Sequence, residues 1–525
     1  MKIALIVDNM RIAKWQADAL ALLEPEPELL VYNCRNTRPE KRRVRFFAYY
    51  ALNLFTIRNA LTRATALPKS LKVERTVDFD SVYSGAWQEL PSTILQCLRA
   101  DAPDVILKFG MGLLKVPPPD VLATPILSYH HGDPAQFRGR PAGFYELLGG
   151  EQIMGQVVQR LSNRLDAGAI LAFAESKVFS HSYKATLLDA FGRSPLLLKT
   201  AIENALSGTA LDRSSDGKVY RLPRTWDVLR LIWKTTRSLM GRLAYGAFME
   251  KAWRVSIAEF EPQELLAPDR AFPAQSSWHT YPTPRGYRFL ADPFFAPSGS
   301  EMLLEALRSR TGKGEILKLG SDGIHKLSTA RGHHSYPAWI EEDGRTYLIP
   351  EVALWAPPAI YEYRGDQLTE IARMDVPGDP RILDPTLFRH GSRIFLFGNL
   401  LDEGPGALRL WHAPDLFGRF EEHRRSPIRI SPSGSRMAGF IVPSAAGPLR
   451  LGQLWHEEYG NGIAIFRIQE LTVRDYREEA VGRLQLDRVK GPHTLNFSGQ
   501  RAAFDWYEDQ FSPLAGVRRL LATVR

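Results

Sequence analysis

An α/β domain followed by an all-β domain is the fold that this 525-residue sequence predicts. The length exceeds what one hydrophobic core organises, so at least two domains are expected. Apolar runs alternate with helical patterns up to about residue 210, as in a mostly parallel, doubly wound sheet. Beyond about residue 270, short strands with glycine and proline turns replace the helices. We therefore predict an α/β domain over 1–215, a helical linker over 216–265 and an all-β domain over 266–525.

The first domain shows strand and helix patterns in turn. Short apolar runs predict strands, and periodically spaced apolar positions predict helices. The strands are expected at Lys2–Val7, Asp104–Phe109, Pro125–Tyr129 and Ala169–Phe173, and the helices at Arg11–Leu23, Arg45–Thr65, Ser92–Arg99 and Ala185–Leu206. Asp8-Asn9-Met10 follows the first strand, where a dinucleotide-binding domain has a Gly-x-Gly-x-x-Gly turn. This Rossmann-like sheet is therefore not expected to bind a dinucleotide.

A long helix is predicted between the two domains, over 223–254, with Pro223 and a cap at Thr225 at its start. It carries the apolar residues Trp226, Leu229, Trp233 and Leu243, and Arg230, Lys234 and Arg237 share one face. Two interpretations stand. The helix buries its apolar stripe on both neighbouring domains, or it makes a peripheral contact with an anionic membrane surface.

A sequence unit recurs in the second domain about every 40 to 60 residues. The five units are Leu290–Phe295, Ser335–Ile340, Leu383–Phe388, Met437–Val442 and Gly491–Phe497. Repetition at this period is typical of β-propellers, in which each unit belongs to one blade. The sequence therefore predicts a five-bladed propeller with each motif at the axial end of an inner strand.

The composition is that of an ordinary globular protein. No apolar run approaches the roughly 20 residues that span a bilayer, and Met1–Asp8 resembles a first strand more than a signal peptide. With Cys34 and Cys97 as the only cysteines, we expect a cytoplasmic protein without disulfides. The net charge of +9 indicates either that the protein binds anionic partners or that its surface is rich in arginine without binding a particular partner. No basic stripe interleaved with aromatic residues indicates nucleic-acid binding.

Three motifs of the first domain place a histidine and an aspartate at the ends of predicted strands. An apolar strand runs into a glycine-bearing turn at Asp104–Lys115, a His-His pair follows a strand within Ile126–Gly139, and Asp166 lies within Arg164–Leu171. Open α/β sheets place their chemistry at the carboxyl ends of strands. In order and spacing, these motifs over residues 1–210 resemble those of the folate-dependent formyltransferases.

The resemblance implies formyl transfer from 10-formyltetrahydrofolate, a reaction whose tetrahedral intermediate needs an oxyanion donor and a base. His130 would donate to the formyl oxygen, and Asp166 would set its protonation state and relay the proton of the attacking amine. An aspartate beside a histidine favours the charged imidazolium. The wall of the folate site would consist of Phe109, Gly110, Met111, Gly112 and Leu113.

One position departs from the family pattern. Ser128 stands where the family has a catalytic asparagine. A serine hydroxyl is shorter than a carboxamide, and the loss of one oxyanion donor typically costs about 10²–10³ in rate. Either His131 or Asp133 rebuilds the site, or the domain is slow, altered in its donor, or inactive.

The second domain resembles arabinanase- and xylosidase-type glycosidases and the N-terminal domain of glucosamine inositolphosphorylceramide transferases. The second resemblance rests on Leu303–Glu305, Tyr347–Glu351, Asp384-Pro385, Gln453–Gly460 and His493-Thr494. Convergent carboxylates suit a sugar, because they bind hydroxyl groups and act in pairs as general acid and base. A sugar site at the axis would consist of Asp292, Glu305, Glu351, Asp384 and His493. Aspartates also cap turns, so a structural role is the alternative.

The combined prediction is a formyltransferase-like enzyme that acts on the amino group of an amino sugar or sugar nucleotide. Its propeller would bind or process the glycan part, and no metal site is expected. Two alternatives stay open. One is a non-catalytic carbohydrate-binding scaffold with a degenerate formyltransferase fold, and the other is a glycosidase or glycosyltransferase with an accessory first domain.

Overall fold

The computed structural model describes residues 1–37, 44–267, 271–321, 323–327 and 332–523. The chain divides into two compact units, Met1–Arg242 and Leu243–Arg525. The first unit combines helices with a central sheet, whereas the second consists almost entirely of strands. Cys34 and Cys97 are both free thiols, as predicted.

A seven-stranded sheet forms the centre of the first unit. Its spatial order is Ala169–Lys177, Ile153–Arg160, Ile126–His130, Val105–Lys108, Lys2–Val7, Glu28–Cys34 and Val73–Phe79. Ile153–Arg160 runs antiparallel to both of its neighbours, and the last five strands of this order pair in parallel. Buried helical residues cover both faces, with Leu98 beside Ile6 on one side and Leu187 beside Trp15 on the other. The predicted mostly parallel, doubly wound sheet is confirmed.

The helices of the first unit are Lys14–Ala21, Phe47–Phe55, Ser92–Asp101, Phe144–Gly149, Tyr183–Arg193 and Leu198–Ser207, followed by Thr225–Phe248, which crosses the boundary between the units. Short 3₁₀ turns occupy Val44–Phe46 and Ser194–Leu197. Small sheets pair Arg11–Ala13 with Ala64–Ala66, Phe137–Gly139 with Lys218–Tyr220, and Trp87–Glu89 with Val82–Ser84 and Leu113–Leu114.

Three predicted helices of this unit differ in extent from the observed ones. Residues 11–13 and 64–66 form a small antiparallel ladder. The first of the predicted helices, 11–23, therefore begins later than predicted, and the second, 45–65, ends earlier. Asn59 accepts hydrogen bonds from the amides of Leu61 and Thr62 and so replaces helical bonds with a turn. The predicted helix 185–206 is interrupted at Pro195, which lacks the amide hydrogen that a continuous helix needs.

Five antiparallel sheets make up the described part of the second unit, each with at least four strands. The first sheet contains Tyr287–Phe295, Met302–Arg308, Gly314–Gly320 and Gly323–Lys326, and the second contains Trp339–Glu342, Arg345–Leu348, Ala359–Arg364 and Gln367–Arg373. The third sheet contains Ile382–His390, Arg393–Leu400, Ala407–Ala413 and Glu421–Glu422, and Arg429–Ile430 pairs with its third strand. The fourth sheet contains Ser433–Met437, Leu449–Leu454, Ile463–Leu471 and Tyr476–Leu484. Short 3₁₀ turns at Pro262–Leu266 and Gln275–Ser277 and the helix Ala515–Thr523 complete the unit.

The fifth sheet joins the two ends of the second unit. Its order is His279–Thr280, Met249–Glu259, Arg501–Phe511 and Leu495–Ser498. The two long strands pair over eleven positions, from Met249 opposite Phe511 to Glu259 opposite Arg501. The prediction of helix through residue 254 is therefore wrong, because the helix ends at Phe248 and the following residues pair with the end of the chain.

The recurring sequence units have a common backbone feature. Asp292, Tyr336 and Asp384 each have a positive φ, between 46° and 49°, and each precedes a proline. Such a conformation is uncommon for residues other than glycine, so its recurrence in three sheets identifies equivalent positions. Each of the five units lies in or beside the strand at one end of a sheet. Five sheets of this size are the number that a five-bladed propeller requires.

Candidate functional site

The carboxyl ends of three parallel strands meet on one face of the first unit's sheet. Ile6, Ile106 and Ile126 belong to one buried cluster on that face. Because side chains alternate along a strand, the residues two positions further along continue the same face. These residues are Asp8, Lys108 and Ser128, and His130 follows Ser128 by two. The strand register places Leu107 opposite Leu127, so Lys108 and Ser128 are the next neighbours along the pair.

His130 and Asp166 are brought together, as the motif order predicts. Nδ1 of His130 lies 3.5 Å from Oδ1 of Asp166, and Oδ2 of Asp166 accepts a hydrogen bond of 2.8 Å from the amide of Gly139. Nε2 of the buried imidazole lies 3.0 Å from the carbonyl oxygen of Phe137. A ligand oxygen therefore reaches Nε2 only by displacing that carbonyl.

Lys108 is a functional candidate that the sequence analysis did not single out. Its side chain is largely buried, and burial lowers the pKa of its ammonium group, while the carboxylates of Asp8 and Asp166 raise it. Lysines are almost never buried without a charged partner. The Lys108 side chain therefore interacts electrostatically with Asp166, the carboxylate that also pairs with His130.

The predicted folate wall is held against the end of the first strand. The amide of Met111 donates a 2.7 Å hydrogen bond to Oδ1 of Asp8, and the amide of Gly110 donates to the carbonyl of Ile6. A Cβ atom on Gly110 would lie 2.5 Å from the backbone nitrogen of Asp8. Only glycine fits at position 110, so Asp8 and Gly110 together set the path of the turn.

An aromatic cluster on the opposite face takes up two other candidate residues. The ring of Phe109 packs on Trp15 and Tyr129, which leaves only its backbone for the predicted wall. His131 packs between Trp15 and Phe191, and burial lowers its pKa to about 3. His131 is thus a neutral core residue here, and its Nε2 lies 2.8 Å from the hydroxyl of Ser194.

The other residue considered for rebuilding the site is also engaged elsewhere. Asp133 forms a 3.0 Å ion pair with Arg213 and accepts a hydrogen bond from the amide of Ala135. In contrast, the hydroxyl of Ser128 lies 3.5 Å from the carbonyl oxygen of Tyr129. Neither His131 nor Asp133 therefore replaces the missing carboxamide in this conformation, and the polar side chains next to Ser128 on the neighbouring strands are Lys108 and Gln159.

A second cluster in the second unit surrounds His493. Nδ1 of His493 lies 3.3 Å from Asp292 and 3.2 Å from Asp505, and its Nε2 lies 2.7 Å from the hydroxyl of Tyr459. Burial alone would lower the pKa of His493, but Tyr459 and Asp505 raise it well above its usual range. The hydroxyl of Thr494 donates to Asp292 at 2.8 Å.

An arginine holds two further predicted residues of this cluster. Nη2 of Arg436 lies 3.0 Å from Oδ1 of Asp384 and 3.4 Å from Oε2 of Glu351, and its Nε pairs with Oδ2 of Asp384. Gln453 donates a 3.0 Å hydrogen bond to the same carboxylate. The amide of Asp384 donates to Glu351 at 2.9 Å, so this group of residues is fully interlinked.

Two buried glutamates of the cluster favour the neutral acid. Burial and the carboxylate of Asp384 raise the pKa of Glu351 to about 8, although Arg436 opposes the shift. Burial and the carboxylate of Asp292 raise the pKa of Glu305 well above its usual range. A protonated acid beside an arginine-paired carboxylate is the pairing that general acid–base chemistry on sugars uses. All five predicted residues thus lie in one buried, electrostatically coupled cluster.

A metal ion is a poor fit to the three best-placed ligands. Asp292, His493 and Asp505 offer ligand atoms within 4.8 Å of one another. Asp505, however, already accepts hydrogen bonds from the amides of Asp292, His493 and Thr494. Nδ1 of His493 lies between two carboxylates and would carry a proton there. The geometry suits a hydrogen-bonded network better than metal coordination.

Sequence reasoning missed Asp505 and Arg436 as well as Lys108. Asp505 lies in the middle of the strand Arg501–Phe511, where a buried charge within an apolar run was the available signal. Arg436 lies at a register shift of the strand Ser433–Met437, which no local pattern indicates. Both residues reach the cluster through pairing between distant parts of the chain.

One family model matches part of the second unit in sequence. Residues 280–504 match the family model "Glucosamine inositolphosphorylceramide transferase 1, N-terminal". The chain is 25% identical over 232 residues to glucosamine inositolphosphorylceramide transferase 1 from Oryza sativa subsp. japonica, with 41% of this chain covered. It is 26% identical over 226 residues to the protein of that name from Arabidopsis thaliana, with 40% covered. The chain spans about a third of the length of the curated relatives it matches: 31% and 29%.

Solved structures with formyltransferase descriptions are also similar. One is an N-formyltransferase from Helicobacter canadensis, described in complex with folinic acid and dTDP-3-aminofucose. The match covers 45% of this chain and 80% of the chain of that structure, with 9% identity and a TM-score of 0.27. The sugar 3N-formyltransferase WlaRD covers 63% and 99%, with 9% identity and a TM-score of 0.26. A family 117 glycoside hydrolase from Zobellia galactanivorans covers 49% and 90%, with 11% identity and a TM-score of 0.30. The match to the glucosamine inositolphosphorylceramide transferase N-terminal model covers residues 280–504, which is less than half of the chain.

Proposed function

We propose that this chain is a cytoplasmic transferase that moves a formyl group from 10-formyltetrahydrofolate to the amino group of an amino sugar or sugar nucleotide. The observation that carries the proposal is the grouping of Lys108, Ser128, His130 and Asp166 at the carboxyl ends of the parallel strands. Formyl transfer requires hydrogen-bond donors at the carbonyl oxygen and a group that accepts a proton. Among them, His130 and Lys108 are the proposed donors, and Asp166 is the proposed proton acceptor.

In the proposed reaction, the amine nitrogen attacks the formyl carbon and forms a new C–N bond. The carbonyl oxygen then carries negative charge, which His130 and Lys108 stabilise as donors. Asp166 accepts the proton that the attacking nitrogen loses. When the bond between the formyl carbon and N10 of the folate breaks, that nitrogen takes up the proton, so atoms and charge balance.

Lys108 has a particular part in this scheme. A carboxamide at position 128 would supply a second oxyanion donor, and Ser128 is too short to do so. Lys108 lies next to Ser128 along the paired strands and interacts electrostatically with Asp166. Its ammonium group therefore serves as the second donor in the proposed site. The Phe137 carbonyl, now 3.0 Å from Nε2 of His130, leaves when the formyl oxygen binds.

The second unit is proposed to be a five-bladed propeller whose central cluster binds the glycan part of the acceptor. Hydrogen bonds link its recurring units, as in the bond from Thr494 to Asp292 and that from the amide of Tyr336 to Asp292. Buried carboxylates with raised pKa values suit recognition of sugar hydroxyl groups. Asp292→Asn and Asp384→Asn should each abolish binding on a glycan array while the chain stays folded; binding by both would contradict the proposal.

A second candidate activity for this cluster is cleavage or transfer of a glycosidic bond. The specific observation in its favour is the pair of Glu351, whose pKa is raised to about 8, and Asp384, which is paired with Arg436. Such a pair holds one acid and one carboxylate at neutral pH. Release of a chromogenic sugar that Glu351→Gln abolishes would support this activity, and binding without release would leave the cluster as a binding site.

Mass analysis of acceptors tests the formyl transfer directly. The full chain is incubated with 10-formyltetrahydrofolate and a panel of amino sugars and nucleotide-linked amino sugars, and the gain of one formyl group is measured. His130→Ala should lower the rate by about 10³ or more, because it removes a donor and part of the proton relay. His279→Ala, at an exposed histidine, is the matched control. If no acceptor gains a formyl group, the carbohydrate-binding scaffold is the better account.

A further inference from the structure

The helix Thr225–Phe248 buries only part of its apolar surface. Val228 and Leu231 are buried in the core of the first unit. Successive helical residues are about 100° apart, so the side of the helix that carries these two residues excludes Trp226 and Trp233. Those tryptophans are 69% and 71% exposed. The apolar stripe that the sequence indicated is thus directed at solvent.

The exposed stripe is continuous along the helix. Trp226, Leu229, Trp233 and Met240 follow one another at spacings of three, four and seven residues, which keeps them on one side. All four side chains are exposed. A monomeric soluble protein rarely exposes a contiguous apolar patch of this kind without a partner for it.

A second helix adds exposed aromatic residues to the same part of the first unit. Phe47 and Phe55, at the two ends of the helix Phe47–Phe55, are 70% and 75% exposed. Tyr49 of this helix and Val228 of the longer one belong to one core cluster. We call the exposed apolar side chains of the two helices the interfacial surface; it consists of Phe47, Leu54, Phe55, Trp226, Leu229, Trp233 and Met240.

Basic residues accompany this surface. Arg230 and Arg237 are exposed and follow Trp226 and Trp233 by four residues each, so every one of these arginines is one helical turn from a tryptophan. Arg45 precedes the shorter helix and is also exposed. Exposed tryptophans next to arginines suit the headgroup region of a bilayer, where apolar rings enter and cations meet anionic lipid.

From these features we infer that the interfacial surface docks the protein on an anionic membrane. In the described part of the chain, no helix is long and apolar enough to cross a membrane. The longer helix therefore lies in the plane of the interface, with its tryptophans among the headgroups and its buried side on the protein core. Anionic lipids of the cytoplasmic leaflet attract the arginines. This docking is independent of the reaction catalysed.

Vesicle flotation of the full chain tests the inference. Phosphatidylcholine vesicles with added phosphatidylglycerol should carry the protein, and vesicles of phosphatidylcholine alone should carry much less. Trp226→Ser with Trp233→Ser should weaken partitioning by about tenfold or more, because two interfacial anchors are lost. Arg230→Ser and Arg237→Ser should each weaken it by about fivefold at low salt. Leu354→Ser, at an exposed leucine of the second unit, should leave it unchanged.

Two further measurements keep the result decisive. Phe47→Ser with Phe55→Ser should also weaken partitioning, which covers the case that the tryptophan variant fails to fold. Light scattering reports the mass in solution without vesicles. If the wild type does not float with anionic vesicles, the interfacial surface is not a membrane surface. If light scattering instead shows that the wild type is a dimer and the tryptophan variant a monomer, the interfacial surface binds another copy of the chain.

Discussion

Replacing Arg436 by methionine removes the cation that holds the central cluster of the second unit together. Arg436→Met keeps most of the apolar stem and leaves Asp384 and Glu351 without their shared partner, 3.0 Å and 3.4 Å from Nη2. Asp384 is almost fully buried, and Gln453 remains as a side-chain donor to it. A buried carboxylate without its counter-ion is strongly destabilising.

The expected loss of stability follows from burial. Breaking a buried ion pair by removing one partner costs about 3–5 kcal/mol. For a unit of this size, about 1 kcal/mol corresponds to roughly 2 °C in the unfolding midpoint, so a fall of about 6–10 °C is expected. Arg425→Met is the matched control, because its 3.2 Å pair with Asp475 is well exposed. Exposed pairs contribute about 0–1 kcal/mol, and the control should shift little.

Differential scanning calorimetry on the full chain measures both variants. A chain of two units gives more than one transition, and the transition that Arg436→Met lowers is assigned to the second unit. Arg436→Met combined with Asp384→Asn should recover part of the loss, since the uncompensated charge is then removed. Equal midpoints for Arg436→Met and Arg425→Met would refute the reasoning that the cluster is a buried, charge-coupled network.

Three further predictions concern single side chains of the two clusters. Lys108→Met should lower formyl transfer by about 10²–10³ while folate still binds, since one oxyanion donor is lost; unchanged transfer in the mass assay would exclude that role. Ser128→Asn should raise the rate by about tenfold, because the carboxamide would add a donor beside Lys108 without displacing His131 or Asp133; a lower rate would show that the pocket is already full. Glu351 has a pKa raised to about 8 in the folded chain. Between pH 4.5 and 8 the folded state therefore binds more protons than the unfolded state. The thermal unfolding midpoint of the second unit should fall as pH rises through that range. Glu351→Gln should flatten this fall in calorimetric scans, and an unaltered pH profile would contradict the raised pKa.

The sequence was informative wherever one segment carried its own signal. The strand Lys2–Val7 is confirmed at both ends, since an uninterrupted apolar run suffices to predict it. The ladder of Arg11–Ala13 with Ala64–Ala66 could not be predicted in this way, because each segment is short and is stabilised by a partner about 50 residues away. The same reason explains why the prediction of helix over 249–254 is wrong, since these residues belong to the strand Met249–Glu259, whose partner is the last strand of the chain.

The same distinction applies to the residues of the candidate sites. His130 and Asp166 could be predicted to lie together because each belongs to a motif with a recognisable order, and they do. Lys108 stands at the end of an apolar run, where a lysine ordinarily marks the edge of a surface strand. Its burial depends on Asp8 and Asp166, which come from other elements. Asp505 is hidden similarly, since its hydrogen-bond donors come from Asp292, His493 and Thr494.

Titration of the full chain with 10-formyltetrahydrofolate, or with its stable 5-formyl isomer, tests the central claim most directly. The turn at Gly110, held by Asp8, and the group around His130 form the proposed folate site. We expect binding heat with a dissociation constant in the micromolar range, about −8 kcal/mol, and an upward shift of the first unit's unfolding midpoint. No heat and no thermal shift at saturating folate would contradict the assignment of the first unit as a folate-dependent formyltransferase.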